Sequence, residues 1–139
     1  MINDIKESMA QEVLKLYPDT IIYDEDIPQG FRMPCFLITV VGQDYSKGIV
    51  RNTSEVSFDL SYFSNEPSTD IKNDCLLVQK ELFRGFDLLM GKYRCYDKTS
   101  EITDNVLHFM FKVKYSEFKV VEEVSMNELS SDITITKKE

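Results

Sequence analysis

The chain has 139 residues, 42% of them hydrophobic and 29% charged, with 24 Asp and Glu against 16 Lys and Arg for a formal net charge of −8. That length suits one domain with a proper core, and the composition excludes both a disordered chain and a membrane protein. Phosphate neutralisation supplies most non-specific nucleic-acid affinity, so a chain this acidic is a poor candidate for gripping DNA or RNA, although it could pass close beside DNA without adhering. No apolar run approaches the ~20 residues of a membrane helix. The opening MINDIKESM lacks the basic and apolar regions of a signal peptide, so synthesis in the cytoplasm is expected.

Residues 2–16 read as a first helix, because Ile2, Ile5, Met9, Val13 and Leu16 recur at three- and four-residue steps with Asn3, Lys6, Gln11 and Lys15 between them. Tyr17 before Pro18 is a poor position for continued helix and marks its end. Residues 20–23 (TIIY) form a short β-type run, and 24–33 a loop with three acids, Pro28 and Gly30. The near-continuous apolar run 35–41 (CFLITVV) predicts a central strand covered on both faces. Residues 42–48 are polar enough to predict a flexible loop, and 54–63 a half-buried strand in which Val56, Phe58, Leu60 and Tyr62 alternate with Ser57, Asp59 and Ser61.

The group 64–69 (SNEPST) predicts a turn, with Ser68 or Thr69 capping a second helix over about 70–89. Ile71, Cys75, Val78, Leu82, Phe83 and Phe86 fall on one side of that helix, and Gly85 and Gly91 weaken its far end. Residues 92–103 suit an edge strand guarded by Lys92, Arg94 and Lys98. A turn at Thr103-Asp104-Asn105 then leads into the longest alternating stretch, 105–118 (NVLHFMFKVKYSEF), around which the sheet is expected to be built. The expected fold is therefore α+β: one domain over residues 1–119, with a mainly antiparallel or mixed sheet of about four to five strands, the N-terminal helix and the second long helix packed on one face. Residues 120–139 lack a sustained pattern and are acidic. They are expected to be a tail, flexible or ordered by a partner, in which 132–136 (DITIT) could add a short strand.

No catalytic constellation accompanies this pattern. Asp24, Glu25 and Asp26 could be a carboxylate cluster for a divalent cation, but hard cations usually take six or more oxygens from a shaped loop, so solvated loop acids are the favoured reading. His108 is the single histidine. With no nucleophile motif or metal-ligand pair beside it, it reads as a structural or interface residue. Cys35, Cys75 and Cys95 are odd in number and widely spaced, and read as small buried apolar residues in a reducing compartment rather than metal ligands. Lys112, Lys114 and Lys119 with Tyr115 and Phe118 approach a basic and aromatic strip for single-stranded nucleic acid, against which a solvated sheet face is the simpler reading. The scattered glycines make no phosphate-cradling loop. No catalytic, cofactor-binding or metal residue is therefore assigned.

The stretch YDEDIPQGFRMPCFLI resembles the phage tail terminator proteins of Gram-positive prophages at Tyr23, Asp24, Glu25, Ile27, Gln29, Gly30, Phe31, Pro34, Cys35 and Phe36. A second match is Asp104, Val106, Leu107, His108 and Phe109, and a weaker third is Ser61, Tyr62 and Phe63, so that the likeness spans roughly residues 1–120. Physically, Gly30 permits a left-handed turn, Pro34 enters a strand where its missing N–H matters least, and Phe31 is a large apolar group in a loop that could dock on a neighbour.

The resemblance implies a structural virion protein without enzymatic activity or cofactor. Such a protein forms a ring, typically a hexamer, at the head-proximal end of the tail, assembled in the cytoplasm of the bacterial host. Its implied partners are further copies of itself, the tail tube protein, the head-completion or connector protein and, in a contractile tail, the sheath, with DNA passing through the channel without specific binding and no membrane involved. Gln29, Gly30, Phe31 and Arg32 are the expected interface residues. The alternatives are another virion ring protein (head completion or tail tube) and a small ligand-binding α+β domain, for which a deep polar pocket around His108 would be the mark.

Overall fold

The structure, a computed structural model, describes residues 1–118. The elements in order are α1 (Ile2–Leu16), β1 (Ile21–Asp24), β2 (Cys35–Lys47), β3 (Arg51–Phe63), α2 (Ile71–Gly85), β4 (Leu88–Leu89), β5 (Tyr93–Thr103) and β6 (Val106–Phe118). The strands make one sheet in the order β1-β2-β3-β6-β5-β4, with β1 parallel to β2 and every other pairing antiparallel. The fold is thus α+β with a mixed, curled, six-stranded sheet and both helices on its concave face. No helix among the described residues is long and apolar enough to cross a membrane.

The alternating strands behave as their period dictates. β3 and β6 run side by side for thirteen residues with Val56 opposite Val113, Phe58 opposite Phe111, Leu60 opposite Phe109 and Tyr62 opposite Leu107. All eight side chains lie in the core. Ile5, Met9 and Val13 of α1 and Cys75, Val78 and Leu82 of α2 close over them. Phe109 meets Phe83 and Phe86 edge-on at centroid distances of 5.2 and 5.7 Å, and Phe58 stacks on Phe111 at 5.7 Å. Burying aromatics together in this way adds about 0.5–1.5 kcal/mol per pair beyond the area removed from water. β5 and β6 are joined through Asp104 and Asn105, both at positive φ (52° and 64°), as a tight two-residue hairpin turn requires.

Several sequence expectations need correction. The polar stretch 42–48 is not a flexible loop. It continues β2 as far as Lys47, because Gln43, Asp44, Tyr45, Ser46 and Lys47 each find a partner on β3 after a bulge at Val41. Polar composition suggested a loop, whereas cross-strand backbone bonding holds a ribbon. β2 is also not central: it lies second from the β1 edge, and its outer side chains Leu37 and Thr39 are only half-buried.

The second helix stops at Gly85 instead of running to 89. Leu88 and Leu89 leave it to pair with Arg94 and Tyr93, which adds the sixth strand to the four or five expected. Its cap position is Asp70, not Ser68 or Thr69, and no side chain bonds there. The anchoring of that end comes from Asp74, whose Oδ2 accepts Tyr62 Oη at 2.7 Å and Ser64 Oγ at 2.5 Å. The expected tail, with the possible strand at 132–136, lies outside the described residues.

Candidate functional site

The two faces of the sheet divide the chemistry of the chain. On the concave side the polar groups serve the fold. Lys6 of α1 reaches Asp24 at 2.9 Å and Glu25 at 2.7 Å, and Glu25 also accepts the Val40 N–H at 3.1 Å. The acids at 24 and 25 therefore clasp an ammonium group. Lys6, together with the Val40 N–H, holds the Glu25 carboxyl below its ordinary range, against an opposing contribution from burial. In turn the two carboxylates raise Lys6 in spite of its desolvation. Among the described residues no group of three or more His, Cys, Asp or Glu is arranged to hold a metal ion.

Lys98, expected as a guard on an edge strand, has a different position. A bulge between Tyr96 and Thr99, with Asp97 at φ 55°, turns it under the end of α2, where Nζ donates to the carbonyls of Phe83 (3.2 Å) and Phe86 (3.1 Å) and pairs with Asp87. A cation there satisfies carbonyls that the helix leaves unpaired. The three cysteines are all buried free thiols, and burial pushes Cys35 up to about 11 and Cys95 up to about 12, which keeps them protonated and unreactive.

The convex face carries Leu37, Thr39, Ser57, Asp59, Ser61, His108, Met110, Lys112 and Thr99. Here the sequence reading missed a cluster: His108 Nδ1 lies 3.0 Å from Asp59 Oδ2 and 3.1 Å from Ser61 Oγ, and Ser61 Oγ is 3.3 Å from Asp59 Oδ1. The signal was available in principle, since all three occupy outward positions of paired strands, but register alone decides that Ser61 faces His108 and Asp59 faces Met110. The three residue types are those of a hydrolytic triad, and the geometry is not. A relay needs the carboxylate on one ring nitrogen and the hydroxyl on the other, whereas both contacts fall on Nδ1. The cluster is a hydrogen-bonded knot on the sheet surface. A cavity of about 330 Å³ opens beside it, bounded by Val41, Ser57, Met110, Thr99, Asp97 and Lys112; His108 is not among its lining residues. Its walls are mostly apolar, so it is not the polar pocket that a small-ligand reading called for.

The basic strip is also divided. Lys112 stands 3.8 Å from Asp97, and Lys114 lies over the Tyr96 ring at 5.7 Å, whereas Tyr115 turns to the core side. Among the described residues successive bases would find no line of aromatic platforms beside these lysines. Lys119 lies outside the described residues.

The motif loop between β1 and β2 wraps onto the rim of the convex face. Gly30 adopts φ +74°, the left-handed turn expected of it. Phe31 packs edge-on against Phe63 at 5.2 Å, and the Tyr23 hydroxyl accepts the Arg32 N–H at 3.3 Å. Gln29, Gly30 and Arg32 are left exposed, and Phe31 is half-buried. Among the described residues the sheet is thus covered by helices on one face and carries the Asp59, Ser61 and His108 knot on the other. The sequence profile of the phage tail terminator proteins matches residues 4–125, and the chain belongs to that family of structural phage proteins. No curated protein matches it.

Proposed function

We propose that this protein caps the head-proximal end of a completed tail tube as a ring, typically of six copies, stops further tube polymerisation and presents the surface that joins the head connector. The observation that carries this reading is the family match over nearly the whole described chain. The open strand edges give it a physical basis. Among the described residues no strand pairs with the outer edge of β1, and none lies on the β1 side of β2 beyond Val40, whose N–H is taken by Glu25, so both stretches offer backbone groups to another chain. A heterologous contact of this kind closes into a ring when its rotation closes. One ring face would cover the last layer of tube protein, and the other would meet the head-completion protein; a contractile tail would add contact with the sheath.

In this reading Gln29, Gly30, Phe31 and Arg32 form part of a contact between copies or with the tube. Because Phe31 is packed on Phe63, a Phe31→Asp change alters the loop as well as any contact. Arg32→Glu is the cleaner variant, since its side chain is exposed. The acidic surface lines part of the channel, so that DNA passes without adhering.

The test is the tail-length distribution, by electron microscopy, of lysates from the source prophage with and without the gene. Overlong tubes without heads establish the terminator role. Tails of normal length that fail to join heads point to a connector instead, and normal infectious particles overturn both. Arg32→Glu is expected to shift lengths toward the deletion, and unchanged lengths would remove the loop from the interface.

A further inference from the structure

The two outer edges of the sheet lie level with each other. β1 pairs along one side only, with β2, and β4 covers β5 only at Tyr93 and Arg94. Among the described residues, therefore, no strand pairs with the outer side of Ile21–Asp24 or of residues 100–103. Across the ladders Ile22 shares one row with Phe36, Tyr62, Leu107 and Ile102, and Tyr23 shares the next with Leu37, Ser61, His108 and Glu101. The first row faces the core throughout, with Ile22 and Ile102 half-buried at its two ends and packed against the core's margin. β5 runs opposite to β1, because β1 is parallel to β2 and three antiparallel steps separate β2 from β5.

We infer that the outer edge of β1 in one copy pairs antiparallel with the outer edge of β5 in the next, so that the sheet continues from copy to copy. A rotation about an axis running with the strands keeps every row at its level and every strand in its direction. It therefore sets β1 antiparallel to β5 of the neighbouring copy, with Ile22 opposite Ile102 and Tyr23 opposite Glu101. The two isoleucines join the core-facing rows of both copies into one apolar band, and each loses the water that its edge position exposes. The backbone groups of the two edges satisfy each other in the same step. The rim charges agree with this pairing. Arg32 is exposed and held beside Tyr23 by the N–H that it donates to the Tyr23 hydroxyl at 3.3 Å, and Glu101 is exposed and accepts the Thr103 hydroxyl at 2.8 Å. Among the described residues neither side chain has an ion-pair partner in its own chain, and the junction brings the guanidinium to the carboxylate. Because the two edges are different strands, the contact is heterologous, each copy giving one edge and accepting the other. This deepens the ring reading and rests on it for closure, whereas the pairing of two copies is tested separately.

The test uses the full chain in sedimentation equilibrium up to about 1 mM, the weak limit of measurable association. Wild type is expected to self-associate, and Glu101→Arg to weaken association at least about tenfold. Arg32→Glu placed in the same chain is expected to restore it, since the pair is then reversed and not broken. Circular dichroism checks that each variant is folded. Mixing an Ile21→Cys protein with a Thr103→Cys protein under mild oxidation should give a covalent heterodimer, since those two positions share a row and the three native thiols are buried. A chain that associates without that crosslink, or a Glu101→Arg variant that associates as wild type does or is not restored by Arg32→Glu, overturns the edge pairing and leaves the ring reading standing. A wild type that stays monomeric to about 1 mM overturns the pairing as well. Tail lengths would still decide the terminator reading independently.

Discussion

His108 and Phe109 are neighbours in sequence and lie on opposite faces of β6, and the contrast between them runs through the whole sheet. Phe109 is fully buried among Phe83, Phe86 and Phe111, under two helices. His108 is half-buried in a knot with Asp59 and Ser61 that no helix among the described residues covers. Among the described residues the same strands therefore make one face closed by both helices, where stability is concentrated, and one that carries polar side chains and no helix. A surface that has to meet several partners gains from being energetically separable from the core, since changes there leave the fold standing.

Substitutions can break or sharpen that contrast. The largest effect is expected for Phe109→Ala, which should lower unfolding free energy by about 3–5 kcal/mol in a urea titration, because the lost ring leaves a cavity between strands and helix. A small loss would mean that the covered face is loosely packed. Asp74→Ala should cost about 1–3 kcal/mol by the same measurement, since it strands the Tyr62 and Ser64 hydroxyls at the mouth of the core. His108→Ala, next to Phe109, should cost no more than about 1 kcal/mol, and a loss equal to that of Phe109→Ala would remove the distinction between the faces.

The Lys6 clasp gives a pH signature. Glu25 has a folded pKa below its ordinary 4.5, so its contribution is complete above that value and is lost as the pH falls through the lower, folded value. Lys6 is raised above 10.5, so its contribution is complete below that value and is lost as the pH climbs through the higher, folded value. Lys6→Met is therefore expected to flatten the acid limb of a stability profile followed by denaturation between about pH 5 and 2, and an unchanged limb would show that the clasp is not linked to folding. The smallest change is expected at the hairpin tip: Ile49 is 94% exposed, so Ile49→Asp should move stability by no more than about 0.5 kcal/mol in the same urea titration.

Much of the closed face was legible in advance, and the reason is periodicity. The first helix is found at its expected residues, because its apolar spacing and the Tyr17-Pro18 stop are local signals. The alternation of β3 and β6 correctly identified the buried set, and Asp104-Asn105 gave the hairpin turn. Errors arose where a residue's role depended on something distant. Lys98 read as a guard because nothing local says that a bulge turns it beneath α2. Gln43 to Lys47 read as loop because their partners on β3 are supplied by register and not by hydrophobicity. Of the candidate site, the motif loop and its left-handed Gly30 could be read from the chain, whereas the seat of Phe31 on Phe63 could not.

The sequence by itself determined the fold class, the apolar face of each long element and the family, because these follow from local spacing and from motifs held in order. Only the tertiary structure decided which polar residues meet: Asp59 and Ser61 with His108, Lys6 with Asp24 and Glu25, and the pairing that carries Ile49 and Val50 out on a ribbon. Periodicity sets the face on which a side chain lies. The residue it touches there is set by strand order, register and bulges, which are fixed when the core closes.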